Sequence, residues 1–203
     1  MDVIIVSKTR MANAFCIGGI LDNGRAVRLL NQSGNNQDTD TEIKVGDVYS
    51  ITFTERKDKK PPHIEDVLVN TLVYKSSFQS IKKMVDYLFE NVDVKFWAGD
   101  IDKLYDGKLQ WTKNGSGYIC EARGVPENSV GFWMSNRELR LSVSDIKPKY
   151  KYILGENKLA YVGLQEPVEI IPLGTLVRVS LARWWSPDSN EKRCYLQLSG
   201  WYI

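Results

Sequence analysis

The chain has 203 residues, of which 43% are hydrophobic and 26% charged, and these values exclude a disordered, collagen-like or coiled-coil protein. The formal net charge is only +2, so any basic surface for nucleic acid must be local. Cys16, Cys120 and Cys194 are far apart in sequence, which argues against a disulfide framework and a zinc site. The sequence has no signal-peptide pattern and no run of about 20 apolar residues, so we expect a cytoplasmic protein.

Short strands separated by turn residues are predicted for the first third of the chain. Asn23-Gly24 stands between two apolar runs, and both residues tolerate the backbone of a tight turn, so residues 14–31 are expected to form a hairpin. The pair Gly18-Gly19 is expected to mark a bulge or bend in a curved strand rather than a close approach to a ligand. Further strands are predicted at 2–7, 46–53 and 64–74.

The apolar period then changes to that of a helix. Apolar residues between Phe78 and Val92 recur at helical spacing, and Ser76 or Ser77 is available as the N-cap. Residues 97–117 have the composition of a connector, and strand patterns resume from 118 to the end. The sequence therefore predicts two β units with one amphipathic helix between them.

A weak internal repeat supports two related units. Residues 43–53 align with 171–181, and residues 22–30 align with 155–164 in the same order. About five strands per unit favour a small Greek-key barrel of the OB type over an immunoglobulin sandwich. The expected fold is thus mainly β, with two tandem OB-like barrels at 1–75 and 118–203 and a helix and flexible connector at 76–117.

Many short segments, among them "CIGGILDNGRAVRLLN", "VGDVYSITF", "PPHIEDVLV", "VGFWMSNRELRL", "IPLGTLVRVSLARWW" and "RCYLQLSGWY", resemble the bacterial dual OB-containing domain family. The resemblance covers nearly the whole chain apart from residues 32–42 and 77–113. It implies two OB-like barrels in a bacterial cytosol. It brings no established reaction and no active-site residues, and nucleic-acid binding is implied only by analogy with other OB folds.

Basic residues near the first hairpin are the first candidate site. Lys8 and Arg10 lie beyond the first strand, and Arg28 lies on the third, where it is expected to point outward. The segment lacks the Gly-x-x-x-x-Gly-Lys-Ser/Thr pattern of a phosphate loop. The basic residues therefore either rim a solvated hairpin or contact a polyanion.

The C-terminal hairpin is the second candidate, because it combines Arg183, Trp184, Arg193 and Trp201 in a short segment. Aromatic rings beside arginines are what a single-strand platform requires, since bases stack while guanidinium groups hold phosphates. The same aromatic residues also suit a barrel core. Adjacent Trp184 and Trp185 must face opposite sides of a strand, so at least one is expected on the face away from the core.

Two further stretches leave alternatives open. The basic run 54–63 lies between the predicted fourth and fifth strands, and it is either a solvated loop or a clamp over nucleic acid. His63 is the only histidine, and in strand geometry it shares a face with Glu65, so a nucleotide-acting enzyme would use this pair. A structural histidine at a Pro-rich turn is the competing interpretation. Cys16 is expected to be inert core.

The sequence thus favours a non-catalytic module that binds single-stranded nucleic acid or a nucleotide-like anion, with no cofactor and no metal. The predicted phosphate ligands are Lys8, Arg10, Arg28, Arg183 and Arg193, and the predicted stacking residues are Trp184 and Trp201. Two alternatives remain: a protein-interaction module that docks through its aromatic residues, and an enzyme centred on His63 and Glu65.

Overall fold

A computed structural model describes residues 1–11, 13–143, 150–186 and 191–203. The chain forms two compact units. The first comprises residues 1–60, 65–95 and 202–203, and the second comprises residues 61–64 and 96–201. The domain limits inferred from the sequence, after residues 75 and 117, stay predictions. No helix within the described ranges is long and apolar enough to span a lipid bilayer.

The first unit contains a closed five-stranded barrel. Its strands are β1 (Asp2–Met11), β2 (Ala14–Leu21), β3 (Ala26–Leu30), β4 (Asp47–Glu55) and β5 (Asp66–Ser77). They pair around the barrel in the order β1-β2-β3-β5-β4, and β4 closes on β1. Only the β3–β5 pair is parallel. Apolar side chains from every strand fill its core, as the alternation of inward positions requires. The predicted OB-type barrel is confirmed for this half of the chain.

The predicted first hairpin is also confirmed. Gly24 lies in the turn between β2 and β3 with φ +84°, a conformation that favours glycine. The pair Gly18-Gly19 lies opposite an irregularity in β1 between Ile5 and Ser7, so it does accompany a bulge. A Cβ atom on Gly19 would lie 2.4 Å from a Val3 methyl group, so the two strands approach too closely there for a side chain.

The one α-helix in the described part of the chain, α1 (Ile81–Asn91), follows β5 and belongs to the first unit. Met84 and Leu88 bury its apolar face. The predicted N-cap was wrong: Ser80 caps the helix, and its hydroxyl accepts a hydrogen bond from the Lys83 amide at 3.2 Å. Ser76 and Ser77 cannot serve because they are the last residues of β5.

Ten strands follow α1 within the described residues. They are β6 (Phe96–Gly99), β7 (Gln110–Trp111), β8 (Gly117–Cys120), β9 (Val130–Ser135), β10 (Leu139–Val143), β11 (Tyr150–Leu154), β12 (Asn157–Tyr161), β13 (Ile170–Ile171), β14 (Leu176–Leu181) and β15 (Arg193–Tyr202). Short 3₁₀ segments follow β6 and β8.

The second unit repeats the strand order of the first barrel. Its sheet contains the path β10-β11-β12-β15-β14-β9, in which β12 and β15 are parallel. When β9 and β10 are taken as two parts of one interrupted first strand, this is the order 1-2-3-5-4-1 of the first unit. The predicted pair of OB-like barrels is therefore confirmed.

The internal sequence repeat falls on equivalent strands. Residues 43–53 and 171–181 each lead into the fourth strand of a unit, and Gly46 and Gly174 precede those strands with φ +96° and +76°. Residues 22–30 and 155–164 likewise contain the turn between the second and third strands. The repeat thus preserves the backbone that both barrels need.

Candidate nucleic-acid interface

Lys8 is occupied by contacts within the first unit. Its Nζ donates hydrogen bonds to the carbonyl oxygens of Thr41 and Ile43 at 2.8 and 3.0 Å, and it lies 4.6 Å from the centre of the Phe15 ring. Burial, followed by the nearby charge of Lys44, lowers the pKa of Lys8. The side chain therefore ties the 41–43 segment to β1. Its position gives no support to the predicted phosphate contact.

Arg28 is likewise held by a carboxylate, whereas Arg10 is exposed at the end of β1. The Nε atom of Arg28 donates to Asp66 Oδ1 at 2.6 Å, and Asp66 is only 2% exposed. Arg56 Nη1 lies 3.4 Å from the other oxygen of the same carboxylate. Arg28 therefore neutralises a buried charge at the junction of β3 and β5, where the prediction had placed it facing a ligand.

The basic run 54–63 carries its own counter-charges. Arg56 Nε donates to Asp58 at 2.9 Å, and Lys59 pairs with Glu55. Glu55 also accepts from Arg25, and these two donors lower the pKa of Glu55 to about 2. Arg56 and Lys59 of the run therefore form ion pairs within the first unit, whereas Lys57 and Lys60 are exposed.

Trp201 lies in the core of the second unit and is 5% exposed. Its ring centre lies 5.6 Å from that of Tyr152 and 5.1 Å from that of Tyr161. Its backbone amide donates to Gln165 at 3.0 Å. The face of this indole is covered by protein, so the structure offers no room for a base to stack on Trp201.

The two adjacent tryptophans face opposite sides, as strand alternation predicts. Trp184 is half-buried, packs against the core of the second unit, and donates from its indole nitrogen to the Pro61 carbonyl at 2.8 Å. Trp185 is 57% exposed. The exposed member of the pair is thus Trp185, and the predicted stacking residue Trp184 is the inward one. Arg183, immediately before them, is exposed.

Trp185 begins a row of rings that runs inward from the surface of the second unit, since Tyr195 is half-buried and Tyr118 is buried. Its ring centre lies 6.1 Å from that of Tyr195, which in turn lies 6.1 Å from that of Tyr118. The guanidinium carbon of Arg193 lies 4.3 Å from the centre of the Tyr118 ring. We refer to these four residues, Trp185, Tyr195, Tyr118 and Arg193, as the aromatic platform.

Strand pairing explains why these side chains share one face. Trp185 and Arg193 form an antiparallel bridge with both backbone hydrogen bonds, at 3.0 and 2.8 Å. Tyr195 follows Arg193 by two residues on β15, and Tyr118 of β8 is its direct cross-strand partner. Since side chains two apart on a strand, and those directly opposite, lie on the same face, the register alone aligns the platform.

Gln110 and Cys120 form hydrogen bonds that hold the Tyr118 end of the platform. The Tyr118 hydroxyl donates to Gln110 at 3.4 Å, and the Gln110 amide donates to the Cys120 sulfur at 2.9 Å.

Cys194 faces the core, and burial raises the pKa of its thiol to about 12. Cys194 is therefore protonated and unreactive near neutral pH.

Arg193 is the cation of the platform, and its acidic partner among the described residues is Glu191. Its Nε atom donates to Glu191 Oε2 at 2.7 Å. This hydrogen bond is the main cause that raises the pKa of Arg193, and it also lowers the pKa of Glu191. Both groups are therefore charged near neutral pH.

The predicted pair for an enzyme, His63 and Glu65, is buried, with exposed fractions of 2% and 5%. His63 Nε2 lies 3.1 Å from the Leu181 carbonyl oxygen. Across the described ranges, no three or more His, Cys, Asp and Glu side chains cluster in a way that would hold a metal ion. Cys16 lies on β2 and is half-buried.

Sequence reasoning missed the contributions of Trp185, Tyr195 and Tyr118. The alternation rule showed that one of the two tryptophans points outward, but the choice between them depends on the register of Trp185 with Arg193. Tyr118 joins the platform only because β8 pairs with β15, a contact between residues about 75 positions apart. The available sequence signal is a second aromatic residue, Tyr118, on a predicted strand that could pair with the strand of Tyr195.

Among the solved structures, the crystal structure of the Ifi202 HINa domain in complex with 20bp dsDNA matches with 11% sequence identity. The match covers 98% of this chain and 95% of that chain, with a TM-score of 0.32, and at that score it carries no argument about fold or function. A search of curated proteins found no significant match. The dual OB-containing domain family matches residues 1–201, and with both barrels present the chain belongs to that family.

Proposed function

We propose that the chain is a nucleic-acid-binding module that holds a single strand on the aromatic platform of its second unit. One observation carries the proposal: three aromatic rings stand in a row from the exposed Trp185 inward, with the guanidinium of Arg193 at their edge. Trp185 is the exposed ring of this row, Tyr195 is half-buried and Tyr118 is buried, so a base would stack on Trp185 and on the open part of Tyr195. Rings beside an arginine suit a ligand that alternates flat bases with anions.

The rings and the arginine of the platform match the two components of a single nucleic-acid strand, its bases and its phosphates. A base that stacks on an exposed ring gains about 1 to 3 kcal/mol, and because every base has a π-face this gain requires no particular sequence. Arg193 and the exposed Arg183 are the cations that would contact phosphates. Stacking needs unpaired bases, so the platform favours a single strand over a duplex.

The position of the platform in the fold supports the same function. Trp185 lies on the connection between the fourth and fifth strands of the second barrel, and Arg193 is the first residue of the fifth strand. In OB folds that bind oligonucleotides, this connection borders the binding face. The family thus provides a fold in which the platform occupies a favourable place.

Three of the arginines predicted from the sequence, Arg10, Arg183 and Arg193, stay candidate phosphate contacts, and Arg10 and Arg183 are exposed. Lys8 and Arg28 bind carbonyl and carboxylate groups of the protein, and Trp201 lies in the core. Trp185 takes the stacking role that the sequence had given to Trp184. The same aromatic surface would serve a protein-interaction module, and the experiment below separates the two.

Fluorescence anisotropy with labelled single-stranded DNA and RNA tests the proposal. We expect Trp185→Ala to weaken binding at least about fivefold, the lower end of the value of one stacked base. With Arg183 and Arg193 on two phosphates, affinity should fall about sevenfold between about 50 and 200 mM salt, a log-log slope near −1.4. Tyr74→Ala is the matched control, because Tyr74 is also 57% exposed but lies on β5 of the first unit.

The outcomes separate the alternatives. Salt-dependent binding that Trp185→Ala weakens and Tyr74→Ala preserves supports the platform. Binding that both variants leave unchanged places the nucleic-acid site elsewhere on the chain. Absence of binding even at low salt refutes nucleic-acid binding and directs attention to a protein partner for the same rings.

A further inference from the structure

The platform cation, Arg193, already has a carboxylate partner, and that partner is open to solvent. Glu191 Oε2 lies 2.7 Å from Arg193 Nε, and the two side chains are 39% and 26% exposed. Ion pairs at this level of exposure contribute little to stability, because water and salt screen them and both side chains lose freedom. A phosphate that approaches the platform therefore competes with Glu191 for the guanidinium.

The guanidinium has other contacts that hold it in place without Glu191. The Tyr118 ring packs against it at 4.3 Å, and such a cation–π contact is favourable at a partly exposed site. The backbone of Arg193 is also held by two hydrogen bonds with Trp185, at 3.0 and 2.8 Å. Loss of the carboxylate charge alone should therefore leave Arg193 at the edge of the rings.

We propose that Glu191 makes the platform select an internal phosphodiester of a nucleic-acid strand over a terminal phosphate or a free nucleotide. This inference rests on the proposed function. An internal phosphodiester carries one negative charge, whereas a terminal phosphate carries nearly two near neutral pH. Since repulsion scales with the product of the charges, the carboxylate of Glu191 opposes the terminal group more strongly.

The row of rings favours a strand for a second reason. An internal phosphodiester has a nucleotide on each side, so bases can occupy more than one ring and offset the repulsion from Glu191. A free nucleotide brings only one base. The exposed Trp185 and the half-buried Tyr195, with ring centres 6.1 Å apart, extend beyond the size of one base, so a mononucleotide leaves part of the platform uncovered.

The test compares wild type with Glu191→Gln, which keeps the shape of the side chain and removes its charge. The probes are labelled oligothymidylate, measured directly, and thymidine monophosphate, measured as a competitor. We expect the variant to bind the oligonucleotide about threefold more tightly and the monophosphate about tenfold more tightly, with a salt slope for the oligonucleotide steeper by up to about 0.7.

Glu138→Gln is the matched control. Glu138 also pairs with an arginine two residues later, Arg140, and both belong to the second unit. These residues lie around β10, away from the strands of the platform. This variant should bind both probes as wild type does.

Each outcome has a distinct meaning. A larger gain for the monophosphate than for the oligonucleotide supports the inference, and an equal gain or no gain overturns it. Weaker binding by Glu191→Gln also overturns it, because Glu191 would then position Arg193 for the ligand. If wild type binds neither probe, the proposed function itself fails. If Trp185→Ala weakens binding but Glu191→Gln changes the affinity for neither probe, only the proposed selection by Glu191 is refuted.

Discussion

The two barrels contain the same connection, between the fourth and fifth strands, and use it in different ways. In the first barrel, Arg56 and Lys59 follow β4 and bind Asp58, Asp66 and Glu55. In the second barrel, the connection carries Trp185 and leads into Arg193, whose acidic partner within the described residues is the partly exposed Glu191. Aromatic rings accompany the cation of the second connection, whereas the ion pairs of the first connection include the buried Asp66, and this difference makes the second connection the candidate anion site.

The largest effect that sharpens this comparison is expected at Asp66. In Asp66→Asn, the half-buried Arg28 loses its carboxylate partner, and such a loss costs about 3 kcal/mol of unfolding free energy. Urea unfolding followed by circular dichroism measures the loss, and hydrogen exchange at β3 and β5 locates it. All six tryptophans lie between residues 97 and 201, so indole fluorescence reports on the second unit as an internal reference.

Asp58→Asn is the control for this experiment. Asp58 pairs with the same Arg56, but its side chain is 73% exposed. We expect its unfolding curve to match that of wild type. If Asp66→Asn proved as mild as Asp58→Asn, the charges of the first connection would not be structural, and the contrast between the two loops would disappear.

The adjacent tryptophans give the next largest effect. Trp184→Ala removes a half-buried ring and its hydrogen bond to Pro61, so we expect a loss of about 2 kcal/mol in unfolding free energy. Trp185→Ala changes an exposed side chain and should stay within about 0.5 kcal/mol of wild type. Chemical denaturation of both variants, followed by circular dichroism, makes the comparison. Equal losses would contradict the assignment of opposite faces.

Local patterns in the sequence predict the fold well because the backbone requirements are local. Gly24, Gly46 and Gly174 mark turns that glycine favours, and these turns recur at equivalent points of both barrels. The helix was also predicted from its period. Its N-cap was not, because β5 extends as far as Ser77 and Ser80 caps a helix that begins at Ile81.

The candidate site is harder to predict because long-range contacts assign its side chains. The pattern of aromatic residues beside arginines is the same for Trp201 in the core and for Trp185 on the surface. Lys8 has the sequence context of a free cation, but carbonyl groups more than 30 residues away bind it. Only strand register and loop packing decide such cases, and neither is encoded in a short window of sequence.

The smallest expected effect is a loss of stability at acid pH, and it tests the ion pairs in the connection between β4 and β5 directly. Arg25 and Lys59 lower the pKa of Glu55 to about 2, below its ordinary value near 4.5. The unfolded chain therefore takes up this proton first, so the stabilisation is complete above about pH 4.5 and is lost as the pH falls through about 2. Because the side chain is 50% exposed, screening keeps the contribution below about 1 kcal/mol.

Glu55→Gln provides the measurement, as the difference in urea midpoint from wild type at several pH values. We expect wild type to be slightly more stable near neutral pH and the difference to shrink steadily below about pH 4.5. Added salt should reduce the difference at neutral pH as well, because exposed pairs are screened. A difference that stayed constant with pH and salt would mean that Glu55 acts through packing. The first connection would then owe less to its ion pairs, and the aromatic rings alone would distinguish the second.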